Sequence, residues 1–295
     1  MFATMEGDPE PIALFISPYD QASSLASRPD GRCGDRFSNG LAAAIFVAYG
    51  GFVVRIRMLE LLSGAAQATG TAVVIDVFRA CSVVCYAFAA GAKQILPVDS
   101  VEEALAVKAA HPEYLLAGER NCLKPDGFDF GNSPSEVRAA DLTGKTLVHT
   151  TSAGTRGLVA AMGSAERVLT CSFANMAATA AAIAAASPET VSVVAMGKAG
   201  VAHAPEDKLC AMYLANVLQD VPNAFAAIPK FLRTSASATI FFGDTAIVPE
   251  EDFELCLTLD AFDFFLEASH LPDGRLVLTR HDAAKIPPAA AILTS

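Results

Sequence analysis

The chain is short of positive charge: 21 Lys and Arg stand against 32 Asp and Glu, for a formal net charge of −11. That disfavours a nucleic-acid backbone as partner. A small anionic ligand stays open, because local arginines or a cation reverse the field inside a cleft. Membrane-crossing runs are also missing. The apolar run Leu41–Val54 has fourteen residues and two glycines, whereas a bilayer span needs ~20 residues. The segment before it carries Glu6, Asp8 and Glu10 without a basic stretch, so no standard signal peptide is expected. No CxxC pair occurs among the seven cysteines at 33, 81, 85, 122, 171, 210 and 256. Their scatter and odd number point to reduced thiols in a cytoplasmic protein. Cys81 and Cys85 would share one helix face, but no second ligand pair completes a zinc site. The GxxxxGK[ST] pattern of a Walker-type nucleotide site is absent, and no short internal repeat is visible.

What remains is a chain of 295 residues, 53% hydrophobic, able to bury a large core in one or two domains. Residues 1–50 show weak periodicity and many turn residues and read as an N-terminal extension. Residues 51–295 read as a single α/β domain with an irregular C-terminal part. Its rhythm starts near Val53. Ala72–Val77 suits a strand buried on both faces, and a helix follows to about Ala90, before Gly91. Further strands are expected at 94–98, 114–117, 147–150, 167–170 and 191–196. Ser100 and Glu103 form a capping-box signature, and an Ala-rich helix is expected over 175–186. From about Ala238 the pattern loosens to a helix at 250–257 and a strand-like run at 275–279. Strand–helix alternation of this kind predicts a three-layer α/β/α fold with a mostly parallel or mixed sheet.

Ligands of such sheets bind outside the carboxyl ends of the strands, and that rule sorts the polar residues. Asp76 and Arg79 follow one strand, and Glu119 and Arg120 another. The run Thr150-Thr151-Ser152-Ala153-Gly154-Thr155-Arg156 follows a third. It is a candidate phosphate cradle, since small hydroxyl residues and a glycine entering a helix offer free N–H groups. It equally suits an ordinary Ser/Thr-capped helix start. Glu206 and Asp207 follow the loop Gly197–Gly200, and Asp207 also suits a helix dipole. Asp76 has its own bland alternatives, a helix cap or a local pair with Arg79. Residues 127–134, Gly-Phe-Asp-Phe-Gly-Asn-Ser-Pro, add Asp129, Asn132 and Ser133 on a glycine-flanked loop. Asp76, Glu119, Asp129 and Asp207 are the candidate catalytic and metal-binding carboxylates, suited to a hard cation. The candidate anion-binding residues are Arg79, Arg120, Asn132, Ser133, Thr150, Thr151, Ser152, Gly154, Thr155 and Arg156.

These motifs in this order resemble the 2-phosphosulfolactate phosphatase family. The resemblance is carried by residues 74–80, Ala117–Arg120, Gly127–Pro134, Thr150–Arg156, Phe173–Asn175, Glu206-Asp207, and 251–256 with Asp260. The resemblance implies a Mg²⁺-dependent phosphoric monoester hydrolase that converts 2-phosphosulfolactate to sulfolactate and inorganic phosphate, within coenzyme M or sulfolactate metabolism. The partner expected is a small anionic phosphate ester, with no nucleic acid and no membrane, and a homo-oligomer left open. A phosphatase for another small phosphorylated hydroxy acid, or a non-catalytic anion-binding module, are the competing readings. Residues 1–50 and about the last thirty fall outside the resemblance.

Overall fold

The structure, a computed structural model, describes residues 44–49, 52–243 and 246–283. Most of the segment read as an N-terminal extension lies outside the described residues. Within it, β1 (Ala44–Tyr49) pairs antiparallel with β2 (Phe52–Glu60). A short α1 (Leu61–Ala65) leads to β3 (Thr71–Ile75) and α2 (Ala80–Ala89). Then come β4 (Gln94–Pro97), α3 (Val101–Ala110), β5 (Leu115–Gly118) and α4 (Pro134–Arg138). The next units are β6 (Thr146–Thr150), α5 (Gly154–Met162), β7 (Arg167–Cys171), α6 (Met176–Ala186), β8 (Thr190–Ala195) and α7 (Pro205–Leu218). The described chain closes with α8 (Ala227–Leu232), α9 (Glu250–Cys256), β9 (Phe264–His270) and β10 (Leu276–Asp282).

The described strands form one ten-stranded mixed sheet in the order β1-β2-β8-β3-β7-β9-β10-β4-β6-β5. Helices cover both faces, which makes the fold a three-layer α/β/α arrangement. β3 is central: every residue of Thr-Ala-Val-Val-Ile is buried, with β8 and β7 parallel on its two sides. Val74 joins the inner core, and Val73 and Ile75 join the core beneath α6 and α7. This is the alternation a strand imposes. β4, β6 and β5 form a second parallel group.

The two parallel groups are joined by the antiparallel hairpin of β9 and β10, with Val168, Ala268, Leu278 and Ile95 side by side across it. The region expected to be irregular therefore supplies two strands in the middle of the sheet. Strand direction reverses along the ladder at the hairpin. Twist accumulates at roughly 20–25° per strand, and the sheet wraps around α5, which contacts β3, β7 and β9 as well as β4 and β6. One core accordingly holds Val74, Val168 and Val194 together with Ile95, Ala117 and Leu147. The coiling brings the carboxyl ends of both groups to one place. No helix among the described residues is long and apolar enough to cross a membrane.

Candidate active site

The site is built where β3, β5, β6 and β8 end. Asp76, one residue past β3, accepts from Ala80 N through Oδ1 at 3.2 Å, closing the turn into α2. Asp207, in the first turn of α7, accepts from Val77 N through Oδ1 and from Gly197 N through Oδ2, both at 2.7 Å. That clamps the ends of β3 and β8 together. Gly197 has φ +68°, and a Cβ there would lie 2.2 Å from Ala202 O, so the loop needs glycine. Glu119, just past β5, accepts from Ser152 N through Oε1 at 2.6 Å and from Cys122 N through Oε2 at 2.8 Å. Glu206 is buried beside Asp207 and its Oε2 has no hydrogen-bond partner.

Four carboxylates thus crowd one buried region. Burial, then the charges of Glu119 and Glu206, push Asp76 up from 3.8 to about 7 against the hydrogen bond from Ala80. Burial, then Asp76 and Glu206, push Asp207 well above its ordinary value, and burial raises Glu206 as well. Burial is the cause common to all three, and Asp76 and Asp207 are raised further by the neighbouring carboxylates. Such a constellation marks a functional region. Its atoms are hard oxygen donors with an excess of negative charge, which fits a cation of the Mg²⁺ type. Among the described residues, no three His, Cys, Asp or Glu side chains are already gathered as a metal cage.

The Thr150–Arg156 loop lies against this cluster. Several of its N–H groups, expected to cradle phosphate, are spent on the protein itself. Ser152 N goes to Glu119 and Thr155 N to the Thr151 hydroxyl, and the Gly154 N–H lies close enough to the Asp76 carboxylate to favour its charge. Thr155 Oγ1 in turn accepts from Thr151 N. A Cβ on Gly154 would stand 2.6 Å from Ala80 Cβ and 2.9 Å from Asp76 Oδ2. The glycine therefore permits α5 to meet the start of α2; what approaches it closely is the chain's own β3 end. Arg120 donates to Glu119 O at 2.7 Å, Asp99 O at 3.0 Å and Thr150 Oγ1 at 2.8 Å, so it ties three strand ends. Arg156 pairs with Asp99 through Nε at 3.2 Å and is half-exposed. Together with Ser100, Val101, Glu102, Ser152 and Ala199, these residues line an open cleft of about 450 Å³.

The other expected residues fall elsewhere. Asp129 does not join the cluster: it is exposed, accepts from Leu116 N at 2.8 Å and lies 3.7 Å from Lys108. The reason is that residues 128–130 run beside β5 as an added edge, with Ala117 bridged to Phe130, which turns Asp129 toward the start of that strand. Asn132 is buried with its Oδ1 3.1 Å from His149 Nε2. Burial, with Arg120 nearby, holds His149 down at about 4, so its ring is neutral at pH 7. Ser133 caps α4 and donates to Asp252 Oδ1 at 2.9 Å. Arg79 is buried and donates to Asp252 Oδ2 at 2.7 Å. Sequence reasoning gave no role to Asp252 or His149, and none separate from Asp207 to Glu206. Asp252 carried a signal: it shares a helix face with Leu255 and Cys256, so its burial follows from spacing.

The family model described as 2-phosphosulpholactate phosphatase matches residues 57–269, from β2 through β9. A Bacillus subtilis (strain 168) protein named "Probable 2-phosphosulfolactate phosphatase" is 32% identical over 210 residues, which is 69% of this chain and 88% of that protein. A Clostridium perfringens (strain 13 / Type A) protein of the same name is 34% identical over 215 residues, covering 66% of this chain and 85% of its own length. One from Thermotoga petrophila is 46% identical over a shorter stretch of 108 residues, 37% of this chain and 46% of that protein. With a family model spanning the strands that carry the carboxylates, the chain belongs to the 2-phosphosulpholactate phosphatase family.

Proposed function

We propose that the chain hydrolyses 2-phosphosulfolactate to sulfolactate and inorganic phosphate with Mg²⁺ as cofactor. The observation that carries this reading is the buried carboxylate group Asp76, Glu206, Asp207 and Glu119, with Glu119 bonded to Ser152 on the wall of a cleft lined by Arg120 and Arg156. The substrate is anionic at its phosphate, sulfonate and carboxylate groups, and an acidic protein needs local cations to hold it. Carboxylates of the group around Asp76 and Glu206 would hold Mg²⁺, which when bound would neutralise charge on phosphoryl oxygens.

The chain's own residues account for the rest. Arg156 sits in the cleft with half its side chain open to an anionic substrate group. Arg120 and Glu119 fix the loops that shape the cleft. One of the buried carboxylates takes a proton from the attacking water as the water oxygen bonds to phosphorus. The ester P–O bond then breaks, and that proton passes to the departing hydroxy-acid oxygen.

The test is phosphate release from a panel of phosphate esters by the full chain, with and without Mg²⁺. Turnover is expected for 2-phosphosulfolactate with Mg²⁺ and not after EDTA treatment. Preference for another phosphorylated hydroxy acid would shift the substrate, and binding without release would reduce the chain to an anion-binding module.

A further inference from the structure

Four buried carboxylates surround the end of β3, and their oxygens are unequally engaged. Glu119 accepts a backbone N–H on each oxygen, from Ser152 and Cys122. Asp207 does the same with Val77 and Gly197, both at 2.7 Å. Asp76 is held by Ala80 N, with the Gly154 N–H close enough to favour its charge. Glu206 differs. Ser237 and the residue's own N–H favour its carboxylate charge, but Oε2 has no hydrogen-bond partner although the residue is only 5% exposed. It is close enough to Asp76 and Asp207 to raise both. A place in the first turn of α7 would satisfy the helix dipole from the surface; it does not require a buried oxygen with nothing to bind. Buried polar atoms are nearly always paired, and an exception calls for a missing partner.

We propose that Glu206 and Asp76 are the direct protein ligands of a divalent cation, and that Asp207 and Glu119 are staples that shape the loops around it. Two carboxylates suffice, since Mg²⁺ keeps several waters and takes substrate phosphate as a further ligand. The staples hold β3 against β8 and β5 against the start of α5, so the ligands are presented on fixed strand ends. This deepens the cation reading given above and rests on it.

The experiment is calorimetric titration of Mg²⁺ into the EDTA-treated full chain, with Mn²⁺ spin resonance as a second probe and Tm measured alongside. Glu206→Gln should weaken Mg²⁺ binding at least tenfold and abolish the Mg²⁺-induced rise in Tm. Without cation its Tm should equal or exceed that of the unsubstituted chain, because an uncompensated charge is gone. Asp207→Asn should lower Tm with or without cation, since one amide oxygen cannot accept from both N–H groups. Unchanged Mg²⁺ affinity in Glu206→Gln, or a Tm loss in Glu206→Gln with none in Asp207→Asn, overturns the assignment. So does a chain that binds no Mg²⁺. A chain that binds Mg²⁺ through Glu206 and releases phosphate from no ester keeps the assignment and sinks the phosphatase reading instead.

Discussion

Arg79 Nη1 and Asp252 Oδ2 lie 2.7 Å apart, with the two side chains 4% and 0% exposed. The pair joins the start of α2 to α9, 173 residues apart in sequence. Asp252 Oδ1 also accepts from Ser133 Oγ at 2.9 Å and Ser135 N at 3.0 Å, so α4 is tied in as well. A buried ion pair adds little over an apolar pair, but removing one member leaves an uncompensated charge and costs about 3–5 kcal/mol. Asp252→Ala should therefore lose stability on that scale in urea denaturation. Arg79→Met with Asp252→Leu should recover most of it. Recovered stability without recovered phosphate release would show that Arg79 acts at the site as well as in the fold. A loss under about 1 kcal/mol in Asp252→Ala would mean that the pair relaxes into water.

Gly154 is a close contact between the two parallel groups. The nearest obstacle to a side chain is Ala80 Cβ at 2.6 Å, on a helix start that cannot swing away. Gly154→Ala should cost about 1–3 kcal/mol by overpacking and lower kcat, because it displaces Asp76. The double variant Gly154→Ala with Ala80→Gly should regain part of the stability, as read by thermal denaturation. If the single variant keeps full stability and activity, the gap between the groups is wider than this packing implies.

The central strands were legible because their residues are locally consistent. Ala72–Val77 reads as a two-sided strand and occupies the sheet centre as β3. The Ser100 cap accepts from Glu103 N, as its spacing predicts. The strand-end rule brought Asp76, Glu119 and Asp207 into one region even though the sheet is not one parallel array. What could not be read was β9 and the hairpin's place in the sheet; the run expected at 275–279 is most of β10. β9, Phe-Phe-Leu-Glu-Ala-Ser-His, has no clean alternation, and its place beside β7 is a long-range pairing with no local signature. Asp129 misled for a related reason. A glycine-flanked acid looks like a site residue, but strand addition beside β5 decides which way it points. The orphan oxygen of Glu206 is visible only once every N–H around it has been placed.

Arg120 and Arg156 line the same cleft and should behave differently. Arg120 satisfies acceptors from three strand ends, and a lysine cannot reproduce that fork. Arg120→Lys should lower Tm and kcat together. Arg156 has one half-exposed pairing with Asp99, and such pairs contribute about 0–1 kcal/mol. Arg156→Ala should leave Tm nearly unchanged and raise KM for the anionic ester. Steady-state kinetics with parallel melting curves separate the two. An unchanged KM in Arg156→Ala would remove it from substrate binding.

The carboxylate cluster also fixes how the cation-free protein responds to pH. Asp76 titrates near 7 when folded and near 3.8 otherwise. Between those values the folded chain holds a proton that the unfolded chain has released. Stability from this group is therefore full at low pH and lost as pH rises toward 7, by up to about 1.4 kcal/mol per pH unit for one proton. Asp207 and Glu206 are raised too and act in the same direction. His149 opposes them: its folded value is about 4 against 6.5, so the unfolded chain gains a proton first as pH falls below 6.5. The clean window is pH 6.5–8, above the His149 range. In EDTA, Tm should climb as pH falls from 8 to 6.5, with a shallower climb below that where His149 offsets one proton. Asp76→Asn should reduce the climb, and saturating Mg²⁺ should remove it by stabilising the ionised carboxylates. A Tm that stays level from pH 8 to 6.5 in EDTA would mean that water or a counter-ion already compensates the cluster.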